Sequence, residues 1–145
     1  MKVRFAALLL LVPLCSACSS SSALNSTAPT AVNGTLTATF TSFLAIGGSS
    51  SHTFVATQAG NIAVTLTSVT PAAVVGLGVG VPNPSGSGCN LTNSLDASAA
   101  VADATGATTP QLTIPATAGT YCVKVYDSGQ LGGIRVNFSV TIAYP

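Results

Sequence analysis

Few side chains here could do chemistry. The sequence holds one histidine, four cysteines (Cys15, Cys18, Cys89 and Cys122), three aspartates and no glutamate. A serine or cysteine nucleophile needs a histidine base and an acid that orients it. His52 stands in "SSHTFV", on the same face as Phe54 at the start of a strand, and reads as a surface or partly packed side chain. No serine lies in a G-x-S-x-G elbow. One histidine and dispersed cysteines and aspartates give no zinc spacing. Two carboxylates of the kind that cleave glycosides would have to converge from Asp96, Asp103 and Asp127. The first two flank a Ser/Ala run that reads as loop and weak strand. Asp127 opens the turn "DSGQ", where aspartate accepts local backbone hydrogen bonds. The expectation is no catalytic residue, no metal site and no cofactor, and hence no enzyme.

Two of the cysteines belong to the N-terminal "MKVRFAALLLLVPLCSACSSSSA". Lys2 and Arg4 precede an apolar run from Phe5 to Leu14, and small residues follow. That is the pattern of an export signal, predicted over residues 1–17. The run is about half the roughly 20 residues that a helix needs to cross a bilayer. "CSAC" with the Ser-rich stretch behind it resembles a bacterial lipoprotein signal. The resemblance implies lipidation of Cys18, with Ala17 and Ser16 in the small positions and a membrane as partner through the anchor. Cys15 stands where that family prefers leucine, and cleavage by ordinary signal peptidase after Ala17 or Ala23 is the alternative. Residues 18–32, rich in Ser, Thr, Ala and Pro, lack periodicity and suit a flexible tether. The expected address is the cell envelope, membrane-anchored by lipid, or else the periplasm or medium.

Cys89 and Cys122 remain, an even number in an exported chain, and predict one disulfide, with two free thiols as the alternative. In "AGTYCVKVYDSG" alternation puts Cys122 on the face of Lys124 and Tyr126, opposite Tyr121, Val123 and Val125. Cys89 ends the loop "PNPSGSGC", so the bridge should pin that loop to the outer or edge side of a sheet. Closing about 32 residues stabilises by roughly 3–4 kcal/mol in the chain-entropy model.

The elements that carry these residues read as strands. In "GTLTATF", Leu36, Ala38 and Phe40 alternate with threonines; "NIAVTLTS" turns Ile62, Val64 and Leu66 one way. "IRVNFSVTIAY" does the same with Ile134, Val136, Phe138, Val140 and Ile142. Weaker candidates are "SHTFVATQ", "AVVGLGVGV", "AAVADA" and "QLTIPA", separated by Gly/Pro/Asn/Ser turns. About eight short strands without intervening helices predict an all-β, two-sheet antiparallel sandwich over residues 33–145. In "VVGLGVGV" the apolar set Val75, Leu77, Val79 and Val81 would face the core. Gly76, Gly78 and Gly80 would line the other face, where something such as the following loop packs closely; a docking surface is the alternative.

From about residue 50 onward "HTFVAT", "QAGNIAVTLTS", "VVGLGVGV", "QLTIPATAGTYCVKVYDSG" and "VNFSVTIAYP" resemble the bacterial pre-peptidase C-terminal domain. The resemblance implies a small jelly-roll-like sandwich in an exported bacterial protein. The family's central strand carries an aspartate where this chain has Ala72-Ala73-Val74. Some members bind calcium through clustered acids, which are scattered here, so calcium is not expected. The domain usually accompanies an enzyme and is expected here to stand alone.

Beyond the N-terminal segment the charges are Lys124, Arg135 and the three aspartates, so no basic patch invites nucleic acid. Sugar sites on sandwiches use exposed rings, and there is no tryptophan. Tyr126, beside Lys124, is the ring best placed for a glycan. The sequence therefore predicts a non-catalytic envelope module with a structural or protein-interaction role, and a carbohydrate-binding module as the alternative.

Overall fold

The computed structural model describes residues 34–100 and 108–145. They contain eight strands: β1 Leu36–Leu44, β2 Ser49–Ala56, β3 Gly60–Thr70, β4 Val75–Pro82, β5 Cys89–Ala97, β6 Leu112–Ala116, β7 Gly119–Tyr126 and β8 Val136–Tyr144. Two four-stranded antiparallel sheets run in the orders β1-β8-β3-β6 and β2-β7-β4-β5. First pairs with last, second with seventh, third with sixth and fourth with fifth. A long hairpin folded over on itself gives this order, and it is that of a jelly roll. The predicted all-β sandwich is the observed one.

Thr- and Val-rich alternation makes these strands because each pleat offers one face to the core and one to water. Ile62, Val64 and Leu66 of β3, and Val136, Phe138, Val140 and Ile142 of β8, meet Val75, Leu77 and Val79 of β4 and Val123 and Val125 of β7. Burying such side chains contributes about 1.5–3 kcal/mol each. A register shift between Leu66 and Ser68 moves the next inward residue of β3 to Val69. At that irregularity Gln111 stands in for a strand: its Oε1 accepts from the Leu66 N–H at 2.8 Å, and its Nε2 donates to the Leu66 and Ser98 carbonyls.

Four expectations need correction. The fifth strand is "CNLTNSLDA", ahead of the expected "AAVADA", whose residues 101–104 lie outside the described set. Its signal is weak because Thr92 is an extra residue between Asn93, opposite Val79, and Leu91, opposite Gly80; the Thr92 hydroxyl donates to the Val79 carbonyl. Val81 is exposed, since β4 runs beyond its last pairing with β7 at Gly80 and Cys122. Ile134 is also exposed: it closes a turn onto the Leu131 carbonyl, and buried Leu131 fills the core there. Finally, Tyr126 is not an exposed ring but a half-buried one.

Tyr126 is covered for the same reason that β4 is glycine-rich. All of Val75–Gly80 is buried, so β4 is packed on both faces. On the outer face a Cβ on Gly76 would overlap the Tyr126 ring. One on Gly78 would meet the Leu91 methyls at 2.8–2.9 Å. One on Gly80 would strike the Asn90 carbonyl. The close packing expected over this strand is therefore present, supplied by Tyr126 and the start of β5. The Cys89–Cys122 disulfide joins β5 to β7, the strands on either side of β4, with Cα atoms 5.8 Å apart. It lies outside the core, as alternation requires, and both cysteines are buried.

The obstacles differ in kind, which sets an order of effects. Gly80→Ala meets backbone and should destabilise by about 3 kcal/mol; Gly76→Ala meets a ring that can swing aside and should lose about 1 kcal/mol. Urea unfolding midpoints would measure both. Equal and negligible losses would mean that the outer face of β4 is open.

Candidate functional site

The outer face of the β2-β7-β4-β5 sheet gathers most of the side chains with chemical potential. Tyr126 pairs with Gly76, and Gly76 with Asp96, so ring, glycine and carboxylate lie in one row across three strands. One strand step away, Lys124 pairs with Gly78. The Lys124 ammonium lies 5.8 Å from the centroid of the Tyr126 ring, within reach of its negative face. Gln130, from the β7–β8 loop, donates through Nε2 to Asp96 Oδ2 at 2.9 Å. With Gly76 below it, the ring is pressed against backbone on one side. The site thus consists of one platform, one carboxylate with an amide on it, and one cation. That arrangement can stack and hydrogen-bond; it contains no base-activated nucleophile.

The remaining ionisable groups sit apart and serve the scaffold. His52 stacks on Phe40, with centroids 5.4 Å apart. Arg135 places its guanidinium 4.0 Å from the centroid of Phe43, an exposed ring on the opposite sheet. Sequence reasoning missed this pair, because alternation places Phe43 on the water-facing side among threonines. Asp103 and Cys18 lie outside the described residues. No group of three metal-binding side chains occurs among the described residues. A shallow cavity of about 280 Å³ lined by Gly34, Thr35, Gln58, Asn61 and Pro145 presents no acidic or basic side chain.

Asp127 performs the local role its turn predicted, and a longer-range one that the sequence did not show. Its Oδ1 accepts from the Gly129 N–H two residues on, and its Oδ2 accepts from the Gly47 N–H in the β1–β2 turn, both at 2.8 Å. The Asp127 N–H returns a bond to the Gly48 carbonyl at 3.0 Å. Gly47 and Gly129 hold φ of 65° and 89°, left-handed values that suit glycine and leave their N–H groups free to turn toward the carboxylate. The Gly47 N–H is the main cause that lowers the Asp127 pKa below its ordinary value; partial desolvation opposes it, and the Gly129, Leu131 and Gln130 N–H groups assist.

No protein-family model matches the chain, and no curated protein matches it.

A folded-state pKa below the unfolded one gives stability that is present above the unfolded value, about 3.9, and lost as pH falls through the folded value. Asp127→Asn should therefore be less stable than wild type at pH 7, and the gap should shrink once the pH drops below about 4. Thermal melts between neutral and strongly acidic pH would follow it. A gap that stays constant down to the most acidic pH would mean that the charge on Asp127 holds nothing.

Proposed function

We propose that this protein is a non-catalytic envelope lipoprotein whose jelly-roll domain, similar to the pre-peptidase C-terminal domain, has a structural or protein-interaction role. The observation that carries this reading is where the reactive groups are engaged. Both cysteines of the domain are consumed in a buried disulfide, and Asp127, His52 and Arg135 are each committed to holding a turn or a ring. A disulfide suits a compartment outside the cytoplasm. The signal-like N-terminus and Ser/Thr-rich tether supply the address, with Cys18 as the lipidated residue. Intact-mass and peptide mass spectrometry of the membrane fraction from a bacterial host should find Cys18 as the first residue, carrying a diacylglycerol increment. An unmodified terminus after Ala17 or Ala23 would contradict the anchor.

A second reading, a carbohydrate-binding module, is favoured by the row Tyr126, Gly76 and Asp96. A ring backed on one side by glycine backbone is a stacking platform, and the Asp96–Gln130 pair beside it can accept from and donate to sugar hydroxyls. Because Tyr126 also covers Gly76, Asp96→Ala is the cleaner probe, since it leaves the ring in place. Bacterial cell-wall glycans in an array should bind wild type and lose about tenfold or more of their affinity to Asp96→Ala. Absence of binding by wild type would remove this reading.

A further inference from the structure

Glycine leaves the outer face of β4 without side chains of its own, so the surface there is set by its neighbours. Beside the row of Tyr126, Gly76 and Asp96 runs a second one of Ser51, Lys124, Gly78 and Ser94. Residues directly opposite one another share a face, so both rows point outward. The Tyr126 ring covers Gly76, and the Leu91 methyls cover Gly78. Both side chains are half-buried and remain partly open to solvent. Together they form an apolar floor between Lys124 on the β7 side and the exposed Ser94 and Asp96 on the β5 side. Two strand spacings of about 4.8 Å and two residues of about 3.4 Å separate the Lys124 and Asp96 Cα atoms by roughly 12 Å.

We propose that the ligand of this face is an acidic glycan, its carboxylate paired with the Lys124 ammonium and its hydroxyls with Asp96 and Gln130; this rests on the carbohydrate reading above and names its substrate class. The two charges of the face are in different states. Asp96 Oδ2 already accepts from Gln130, and its Oδ1 is open to a sugar hydroxyl, a donor that every glycan supplies. Among the described residues the Lys124 ammonium meets the Tyr126 ring and no carboxylate. A sugar stacked on that ring strips water from an ammonium only 5.8 Å from the ring's centroid. Removing water from a charge is costly unless a partner replaces it. A hydroxyl is a weak replacement, whereas a carboxylate gives a charge-assisted bond roughly twice as strong as a neutral one. Asp127, the acid that follows Tyr126, does not compete for Lys124, because its oxygens accept from Gly47 and Gly129.

The test is an array of oligosaccharides of uronic acids and of N-acetylmuramic acid, each beside its counterpart with the carboxylates reduced to alcohols. The probe is the full chain carrying Cys18→Ser, so that a lipid does not contribute to retention. The expected result is a preference of about tenfold or more for the acidic member of a pair. Lys124→Gln should abolish that preference and Lys124→Arg should keep it, while Asp96→Ala weakens both members together. Pairs bound equally, with binding lost on Asp96→Ala, would overturn the acidic ligand and leave the carbohydrate reading standing. An acidic preference that survives Lys124→Gln would overturn it too. Absence of binding to every member, acidic or neutral, would remove the carbohydrate reading and this inference with it. Should Lys124→Gln fail to fold, salt decides on the chain with Lys124 in place: the preference must fade toward about 1 M salt, where the Debye length is about 3 Å, and a preference unchanged there overturns the proposal.

Discussion

β4 is packed on both faces, and that constraint shapes one half of the molecule. A strand sandwiched between a hydrophobic core and a second cover cannot carry ordinary side chains outward, so every second residue from Gly76 to Gly80 is glycine. Glycine weakens a strand by its entropy and its missing side chain. Here three elements repay that loss by close contact: the Tyr126 ring, the Leu91 methyls and the backbone at Asn90. The disulfide joins the strands that supply these covers, so removing it would free them from one another as well as lengthen the unfolded chain's reach.

The rest of the sandwich is secured by polar groups acting on backbone. Asp127 ties the β7–β8 loop to the β1–β2 turn, and Gln111 completes β3 where its ladder breaks. The Tyr121 hydroxyl both accepts from the Thr117 N–H and donates to the Thr117 carbonyl, closing the β6–β7 turn. Each gives a backbone group of a turn or a broken ladder a partner that the strands themselves do not supply. Among the described residues these ties run from neutral or singly charged side chains to backbone.

Much of this was legible in the sequence where a residue's neighbours two positions away decide its fate. Alternation located β1, β3 and β8, placed Cys122 outside the core and marked the glycine face of β4 as closely packed. It failed wherever the decisive partner is remote. "CNLTNSLDA" contains an extra residue, which erases the period of two, and its stability comes from pairing with β4. Val81 and Ile134 fit the apolar pattern, but one lies past the end of the facing ladder and the other in a turn. The row of Tyr126, Gly76 and Asp96 joins residues that are far apart in the chain, and only strand order brings them together. The long-range bond from Gly47 to Asp127 has no local signal at all.

The same cover bears on function, because it turns a glycine stripe that could have been a docking groove into packed interior. Its presence is most directly visible in the proton NMR spectrum. A ring face lying on Gly76 must shift the Gly76 Hα resonances upfield of the usual glycine range, and Tyr126→Leu must return them to it. Gly76 resonances at ordinary positions in the native protein, unmoved by that substitution, would contradict the packing on which the description of this sheet rests.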